Sequence, residues 1–165
     1  MTGVPLTRLE KEEAQRLLEL GHRCAAIDEE VAAIFDPFGN AVHTALAFPV
    51  LGEDVLVSGA GPIGLMATAV VKHAGARYIV VSEPNPFRRQ LAQRMGATVT
   101  VDPAVSDLAE IQRELGMVEG FDVVLEMSGV AAAIRGAIEH MAHGGAMALL
   151  GIPTEEIPLD LNEII

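Results

Sequence analysis

The sequence has few of the residues that disulfide-rich, membrane-spanning or nucleic-acid-binding proteins need. Its only cysteine, Cys24, excludes an internal disulfide and a multi-cysteine metal site, which fits a reducing, cytoplasmic compartment. No apolar run approaches the roughly 20 residues of a membrane span, and the charged residues between 7 and 20 exclude a signal-peptide core. Only 11 basic residues oppose 23 acidic ones, and the net charge of −12 argues against nucleic acid as a partner.

Aromatic residues are also scarce, whereas alanine and glycine are abundant. Aromatics make up 4% of the chain and tryptophan is absent, yet half of the residues are hydrophobic. This composition favours close packing of helices on a sheet over a sandwich built on aromatic pairs. A length of 165 residues is enough for one domain and a short appendage.

Strand and helix patterns alternate regularly from residue 54 onwards. The strands are predicted at about 54–58, 78–82, 97–101, 121–127 and 146–150. The helices between them are predicted at about 62–74, 86–95, 106–115 and 130–142, where apolar residues recur at helical spacing. Such alternation predicts an α/β fold with a doubly wound parallel sheet, in the Rossmann-type strand order 3-2-1-4-5.

The residues before the first strand read as an extra helical segment. Thr7 and Glu10 have capping-box spacing, and Gly21 suits a helix end, so a helix is predicted over 6–20. Another is predicted over 27–35. Residues 36–39 (DPFG) are expected to interrupt it before a helical pattern resumes over 40–48.

The most informative motif is the run VLVSGAGPIG, where the first predicted strand enters a G-x-G-x-x-G turn. Gly59 permits the tight turn, Gly61 lets the backbone approach a pyrophosphate, and Gly64 lets the helix pack on the strand. Backbone amides at the new helix N-terminus face the phosphate charge. We therefore predict a dinucleotide site here that includes Pro62 and Ile63.

Charged residues follow the second predicted strand. Glu83 comes about twenty residues after the motif, where a carboxylate can accept hydrogen bonds from both hydroxyls of an adenosine ribose. It would also repel a 2′-phosphate, so it predicts NAD rather than NADP. Arg88 and Arg89 follow in the next turn, and an arginine there could stack on adenine or attract a 2′-phosphate.

The fourth and fifth predicted strands both end at glycine. Ser128-Gly129 follows one strand, and Leu150-Gly151-Ile152 follows the other. Glycine at these places either lets the backbone pass close to a ligand or simply starts a loop. The residues alone do not decide between a ligand contact and the start of a loop.

Taken together, these segments resemble the L-threonine 3-dehydrogenase family of zinc-dependent medium-chain dehydrogenases. The resemblance covers roughly 25–165, and its most specific stretch is FGNAVH at 38–43. It is carried by residues 32–46, 52–64, 120–129 and 149–153. It implies an NAD-binding domain over 25–165 behind an N-terminal helical extension, 1–24. It further implies cofactor contacts at Ile63, Glu83, Arg88, Ser128, Leu150, Gly151 and Ile152, with Glu83 where the family often has aspartate.

The resemblance also assigns Asp36 to a position that can approach the catalytic zinc in this family. The other zinc ligands belong to a preceding catalytic domain that this sequence lacks, so Asp36 is expected to be an orphan ligand. Zinc is therefore expected only in the complete enzyme. The sequence also ends before the last strand of the family, which leaves strand five as an open edge through which the chain could self-associate.

The resemblance implies that this chain is the NAD-binding domain of an oxidoreductase. It also implies that the oxidation of L-threonine to 2-amino-3-oxobutanoate requires the catalytic domain that holds the zinc. No catalytic residue is expected in this chain, and the isolated chain is expected to be inactive. One alternative is a non-catalytic NAD-binding module that senses cofactor or docks a partner, and another is a fragment that binds nothing. A polyol or alcohol dehydrogenase of the same superfamily is a third.

Overall fold

The computed structural model describes residues 12, 15, 16 and 27–159. Contacts divide the chain into two compact units, Met1–Asp36 and Pro37–Ile165. Most of the helix predicted over 6–20 lies outside the described residues. Glu12, Gln15 and Arg16, which are described, are helical.

Five parallel strands form one sheet in the order β3-β2-β1-β4-β5. Their bounds are Asp54–Ser58 (β1), Tyr78–Ser82 (β2), Val99–Val101 (β3), Phe121–Glu126 (β4) and Met141–Leu149 (β5). The predicted doubly wound order is confirmed. Strand order reverses between β1 and β4, so a crevice opens at their carboxyl ends, which is where ligands bind in such sheets.

Six helices are described, and none of them is long and apolar enough to cross a membrane. They are Glu29–Ala32 (α1), Phe35–Ala45 (α2), Pro62–Ala74 (α3), Pro86–Met95 (α4), Leu108–Leu115 (α5) and Ala131–Glu139 (α6). The bounds of α3 and α4 match the predicted ones, because both helices carry proline in the first turn and a glycine C-cap in the left-handed conformation.

The predicted interruption at 36–39 is wrong. Helix α2 runs through these residues, and the break instead falls at Ala33 and Ile34. Pro37 lies in the first turn of α2, where backbone amides have no intrahelical partner to lose, so proline is tolerated there. The helix ends at Ala45, before the predicted limit of 48.

The boundary between α6 and β5 is also shifted. The prediction ran the helix to 142 and began the strand at 146, whereas α6 ends at Glu139 and β5 begins at Met141. Met141 pairs with Phe121, and the register then shifts before Val123 pairs with Ala146. Two glycines in the irregular part allow this bulge, which a helical spacing of apolar residues does not reveal.

The core lies on both faces of the central strand. All five residues of β1 are buried. Val55 and Val57 pack with α3 residues such as Ala67 and Val71 on one face, whereas Leu56 packs with Phe121 in the cluster on the other. A strand buried on both faces accounts for the continuous apolar run that opens the glycine motif.

An ionic cluster lies at the amino ends of β1 and β4, away from the crevice. Asp54 is buried and accepts a hydrogen bond from Arg77 Nε (2.7 Å), and its amide donates to Asp122 Oδ2 (2.8 Å). Arg77 also lies over the ring of Tyr78, 5.3 Å from its centre. Repulsion from Asp122, then partial burial, raises the pKa of the neighbouring Glu53, against a smaller lowering by Arg77.

Because the folded chain holds the pKa of Glu53 above its unfolded value of 4.5, the charged form opposes folding. The contribution of protonated Glu53 to the free energy of unfolding is fully present below pH 4.5, and it is lost as pH rises through the pKa of the folded state. We expect Glu53→Gln to stabilise the chain at pH 7, because it removes the repulsion from Asp122. The gain should be less than about 1 kcal/mol, since interactions between solvent-exposed charges are of that size. The gain shrinks towards pH 4, as urea unfolding at each pH would measure. Glu119→Gln, in an exposed loop, is the control, and a pH-independent gain from Glu53→Gln would contradict the assignment.

Candidate cofactor-binding site

The glycine motif forms the turn between β1 and α3, at the carboxyl end of the sheet. Gly59 has a φ of +98°, and its amide donates to Ser82 O at 2.8 Å, which ties the turn to β2. Gly61 is the N-cap residue of α3, and the structure shows no side-chain hydrogen bond that caps this end of the helix among the described residues. The first-turn amides of α3 therefore remain available to an anion, and the helix dipole favours negative charge there.

The three glycines of the motif are needed for different reasons. A Cβ at Gly64 would lie 2.1 Å from Gly59 O, so this glycine allows α3 to rest on the turn. A Cβ at Gly59 would lie 3.2 Å from Ser128, and its positive φ disfavours a side chain as well. At Gly61, no heavy atom of the described residues lies within 4 Å of the Cβ position, so the space beside it is open.

Glu83 is nearly buried at the exit of β2 and is held by two backbone amides. Its Oε2 accepts from Ala60 N at 2.8 Å, and its Oε1 accepts from Asn85 N at 2.9 Å. A carboxylate offers about four lone-pair sites, so two hydrogen bonds leave acceptor capacity for a ligand. Glu83 is thus both a clamp on the glycine turn and a candidate acceptor for ribose hydroxyls.

The two arginines after β2 have different surroundings. Arg89 Nη1 donates to Glu83 O and Pro84 O, both at 2.7 Å, and to Asp102 Oδ2 at 3.1 Å. These bonds join the exits of β2 and β3, so Arg89 is a structural residue. Arg88 is half exposed, lies 3.8 Å from Glu83 Oε2 and faces the cavity. Of the two, Arg88 is the one placed to touch a ligand.

A cavity of about 590 Å³ opens beside these residues. It brings together five of the predicted cofactor residues: Gly59, Gly61, Glu83, Arg88 and Ser128. It continues between the β3 exit, at Pro103, and helix α6. The other predicted contacts do not line it. Pro62, Ile63 and Gly64 form the first turn of α3, and Leu150, Gly151 and Ile152 follow β5. Their roles stay predictions.

Glu126 is a buried acid that the sequence reading treated only as part of a strand. It is the last residue of β4 and is fully buried. Its carboxylate accepts from Ser128 N at 2.9 Å, from Ser128 Oγ and from Gly129 N at 3.1 Å. The sequence offered one signal for this residue, an acid that follows three apolar residues at the end of the strand and precedes Ser-Gly.

The prediction that Asp36 occupies a zinc-ligand position is not accompanied by further metal ligands among the described residues. Asp36 is exposed in the first turn of α2. Across residues 12, 15, 16 and 27–159, no group of three or more His, Cys, Asp or Glu side chains could hold a metal ion. The described residues therefore do not fit a zinc site, and the assignment of Asp36 as an orphan ligand stays a prediction.

The contact between α3 and the glycine turn gives a direct stability test. We expect Gly64→Ala to destabilise the chain by at least about 2 kcal/mol, because its Cβ would collide with a backbone carbonyl rather than a movable side chain. Denaturant unfolding measures the loss. The control is Gly136→Ala in α6, where the described residues place no atom within 4 Å of the new Cβ. That variant is expected to gain up to about 1 kcal/mol of helix propensity, and equal effects would contradict the packing role of Gly64.

Comparison with known proteins places this site in a family. The model of the zinc-binding dehydrogenase family matches residues 62–165. L-threonine 3-dehydrogenases from Alteromonas mediterranea and Photorhabdus laumondii are each 58% identical over 139 residues, which cover 84% of this chain and 41% of the relative. The chain therefore spans about two-fifths of the length of these curated relatives.

Solved structures give the same picture at lower identity. 2R,3R-butanediol dehydrogenase from Bacillus subtilis is 32% identical with a TM-score of 0.75, covering 84% of this chain and 40% of that one. A zinc-binding dehydrogenase from Sinorhizobium meliloti, solved bound to NADP, is 29% identical with a TM-score of 0.74, covering 81% and 40%. With the sheet order, the glycine turn and these matches in agreement, the chain belongs to the zinc-binding dehydrogenase family of oxidoreductases.

Proposed function

We propose that this chain is the NAD-binding part of an L-threonine 3-dehydrogenase. The observation that carries the proposal is the open backbone at Gly61, at the N-terminus of α3, facing the same cavity as Glu83. Relatives of that name are 58% identical, whereas butanediol dehydrogenase is 32% identical. This difference favours threonine over a polyol as the substrate of the whole protein.

The described residues fit a dinucleotide that lies across the carboxyl ends of the strands. The pyrophosphate would sit at Gly61, where the absence of a side chain lets its oxygens approach the first-turn amides of α3. The adenosine ribose would lie on the β2 side of the turn, where Glu83 accepts from its hydroxyls. Arg88 borders the same part of the cavity and can cover the adenine.

Bound NAD supplies a hydride acceptor, and the residues of this chain bind and orient it. No group of side chains among the described residues fits a zinc site, so the part of this chain in the reaction is proposed to be binding and orienting the cofactor. Oxidation of threonine to 2-amino-3-oxobutanoate is accordingly proposed for the whole protein. For the chain itself, we propose cofactor binding without turnover.

β5 forms one edge of the described sheet, and its last residue, Leu149, is 61% exposed. We propose self-association through this edge, because strand edges present unpaired backbone groups to a second chain.

Binding and cofactor preference can be tested together. We expect the chain to bind NADH saturably below about 1 mM and to bind NADPH at least about tenfold more weakly, which corresponds to 1.4 kcal/mol. The physical reason is repulsion between the Glu83 carboxylate and a 2′-phosphate. NADH fluorescence titration measures the first quantity, and the same titration with NADPH measures the second. Equal affinities would overturn the NAD assignment.

Gly61→Val tests the location of the site. Its side chain would fill the space proposed for the pyrophosphate, so NADH affinity is expected to fall at least about tenfold. The matched control is Gly39→Val in α2, where no described atom lies within 4 Å of the added Cβ. Melting temperatures of both variants show that they fold. Unchanged NADH binding in a folded Gly61→Val chain would remove the site from this turn.

The absence of turnover is a separate expectation. Purified chain supplied with L-threonine, NAD and Zn²⁺ should form no NADH above a protein-free blank, because the described residues lack a metal-ligand group. Absorbance at the reduced-nicotinamide band measures the product. Threonine-dependent formation of NADH, proportional to chain concentration, would show that the chain carries its own catalytic centre.

A further inference from the structure

We propose that Ser58 and Ser82 recognise the base of the dinucleotide, with their hydroxyls hydrogen-bonding the edge of adenine that carries its 6-amino group. The inference rests on the proposed NAD-binding function and adds two specificity-determining residues to it. The serines are the last residues of β1 and β2, and both line the cavity that Glu83 borders. Each one ends a strand whose three preceding residues are apolar, so a hydroxyl stands there in place of a further core side chain.

The two serine side chains are neighbours on one face of the sheet. Ser58 pairs with Ser82 in the parallel register of β1 and β2, which places their Cα atoms about 5 Å apart. Because side chains alternate along a strand, both serines lie on the face that carries Leu56 and Val80. Helix α3 packs on the opposite face. The two hydroxyls therefore lie side by side in the wall of the cavity, on the face of the sheet that α3 does not cover.

The hydroxyl of Ser58 is buried, yet it has no hydrogen-bond partner among the described residues. The residue is 3% exposed. Within the described part of the chain, every side-chain nitrogen or oxygen that is shut off from solvent has a partner, so the unpaired hydroxyl of Ser58 must open into the cavity. The half-buried hydroxyl of Ser82 is unpaired in the same part of the chain. An unpaired buried hydroxyl costs about 1–3 kcal/mol, and a ligand that supplies a partner would remove this cost.

The surrounding residues indicate which part of the dinucleotide meets these hydroxyls. Glu83, proposed to hold the adenosine ribose, directly follows Ser82, and Arg88 borders the same cavity. The base attached to that ribose would enter the space between the serines and α6, where Ala133 and Gly136 form the facing wall. Adenine presents a 6-amino donor beside a ring nitrogen that accepts, and a serine hydroxyl can both donate and accept. The two hydroxyls can therefore pair with both groups on one edge of the base.

The test compares NADH with an analogue in which purine replaces adenine, so that a hydrogen stands in place of the 6-amino group. Both are reduced dinucleotides with the same nicotinamide, and fluorescence titration gives the dissociation constant of each. We expect the wild-type chain to bind NADH about three- to tenfold more tightly than the analogue, which is the range for one uncharged hydrogen bond. In the double variant Ser58→Ala/Ser82→Ala, this ratio should fall to within about twofold of unity, because no hydroxyl is left to accept from the amino group.

Controls separate base recognition from folding. Thr100 pairs with Val81 on the opposite face of the sheet, so Thr100→Val removes a hydroxyl away from the cavity and should leave the ratio unchanged. The melting temperature of the double serine variant should not fall, because the hydroxyls that it lacks are unpaired among the described residues. The double variant Ser58→Thr/Ser82→Thr keeps both hydroxyls and should keep the preference for NADH.

Two results would overturn the role of the serines while leaving the proposed function intact. One is a wild-type chain that binds NADH and the purine analogue equally, a measurement that does not depend on the folding of any variant. The other is a folded double alanine variant that binds both dinucleotides more weakly by the same factor, or that keeps the wild-type ratio. Failure of the wild-type chain to bind NADH would overturn the proposed function itself, and the inference with it.

Discussion

The close approach of α3 to the exit of β1 is the constraint on which the rest of the site depends. Gly64 brings the first turn of the helix against Gly59 O, at a distance that leaves no room for a Cβ. This contact directs the amino end of α3, with its free amides, towards the crevice between β1 and β4. The continuous burial of β1 supports the contact from below, because Val55 and Val57 hold the strand in the core that α3 covers. The proposed phosphate site is therefore a consequence of helix packing.

Buried acids reinforce this arrangement at both ends of the sheet. Glu83 and Glu126 each accept backbone amides at carboxyl ends of strands and lie on opposite sides of β1. At the amino ends, Asp54 is buried and paired with Arg77. The carboxylates of Glu83 and Glu126 satisfy backbone donors that parallel strands leave unpaired where they turn into loops, whereas the carboxylate of Asp54 accepts from an arginine side chain. Part of the chain's acidity is thus structural, and it is not simply a charged surface for solvation.

The sequence was most informative where local chemistry is unambiguous. Proline in the first turn and glycine at the C-cap determine α3 and α4, and the apolar runs determine the strands around β1. The boundary between α6 and β5 was mistaken because Met141 fits both a helical face and a strand. Its pairing with Phe121, a tertiary contact, decides between them. Glu126 was missed for a similar reason, since the fold brings the turn after β4 and the exit of β5 together at this residue. Pattern alone also could not separate Arg88 from Arg89, which differ only in the partners that the fold supplies.

The double attachment of Glu83 limits how cofactor preference could evolve or be redesigned. Its two carboxylate oxygens accept hydrogen bonds from the amides of Ala60 and Asn85. The residue proposed to discriminate between NAD and NADP therefore also stabilises the glycine turn. A substitution that removes the negative charge to admit a 2′-phosphate would leave one or both of these amides without a hydrogen-bond acceptor. Each stranded donor costs about 1–3 kcal/mol. A switch towards NADP would consequently need a compensating acceptor elsewhere, and single changes at this position would trade selectivity against an intact turn.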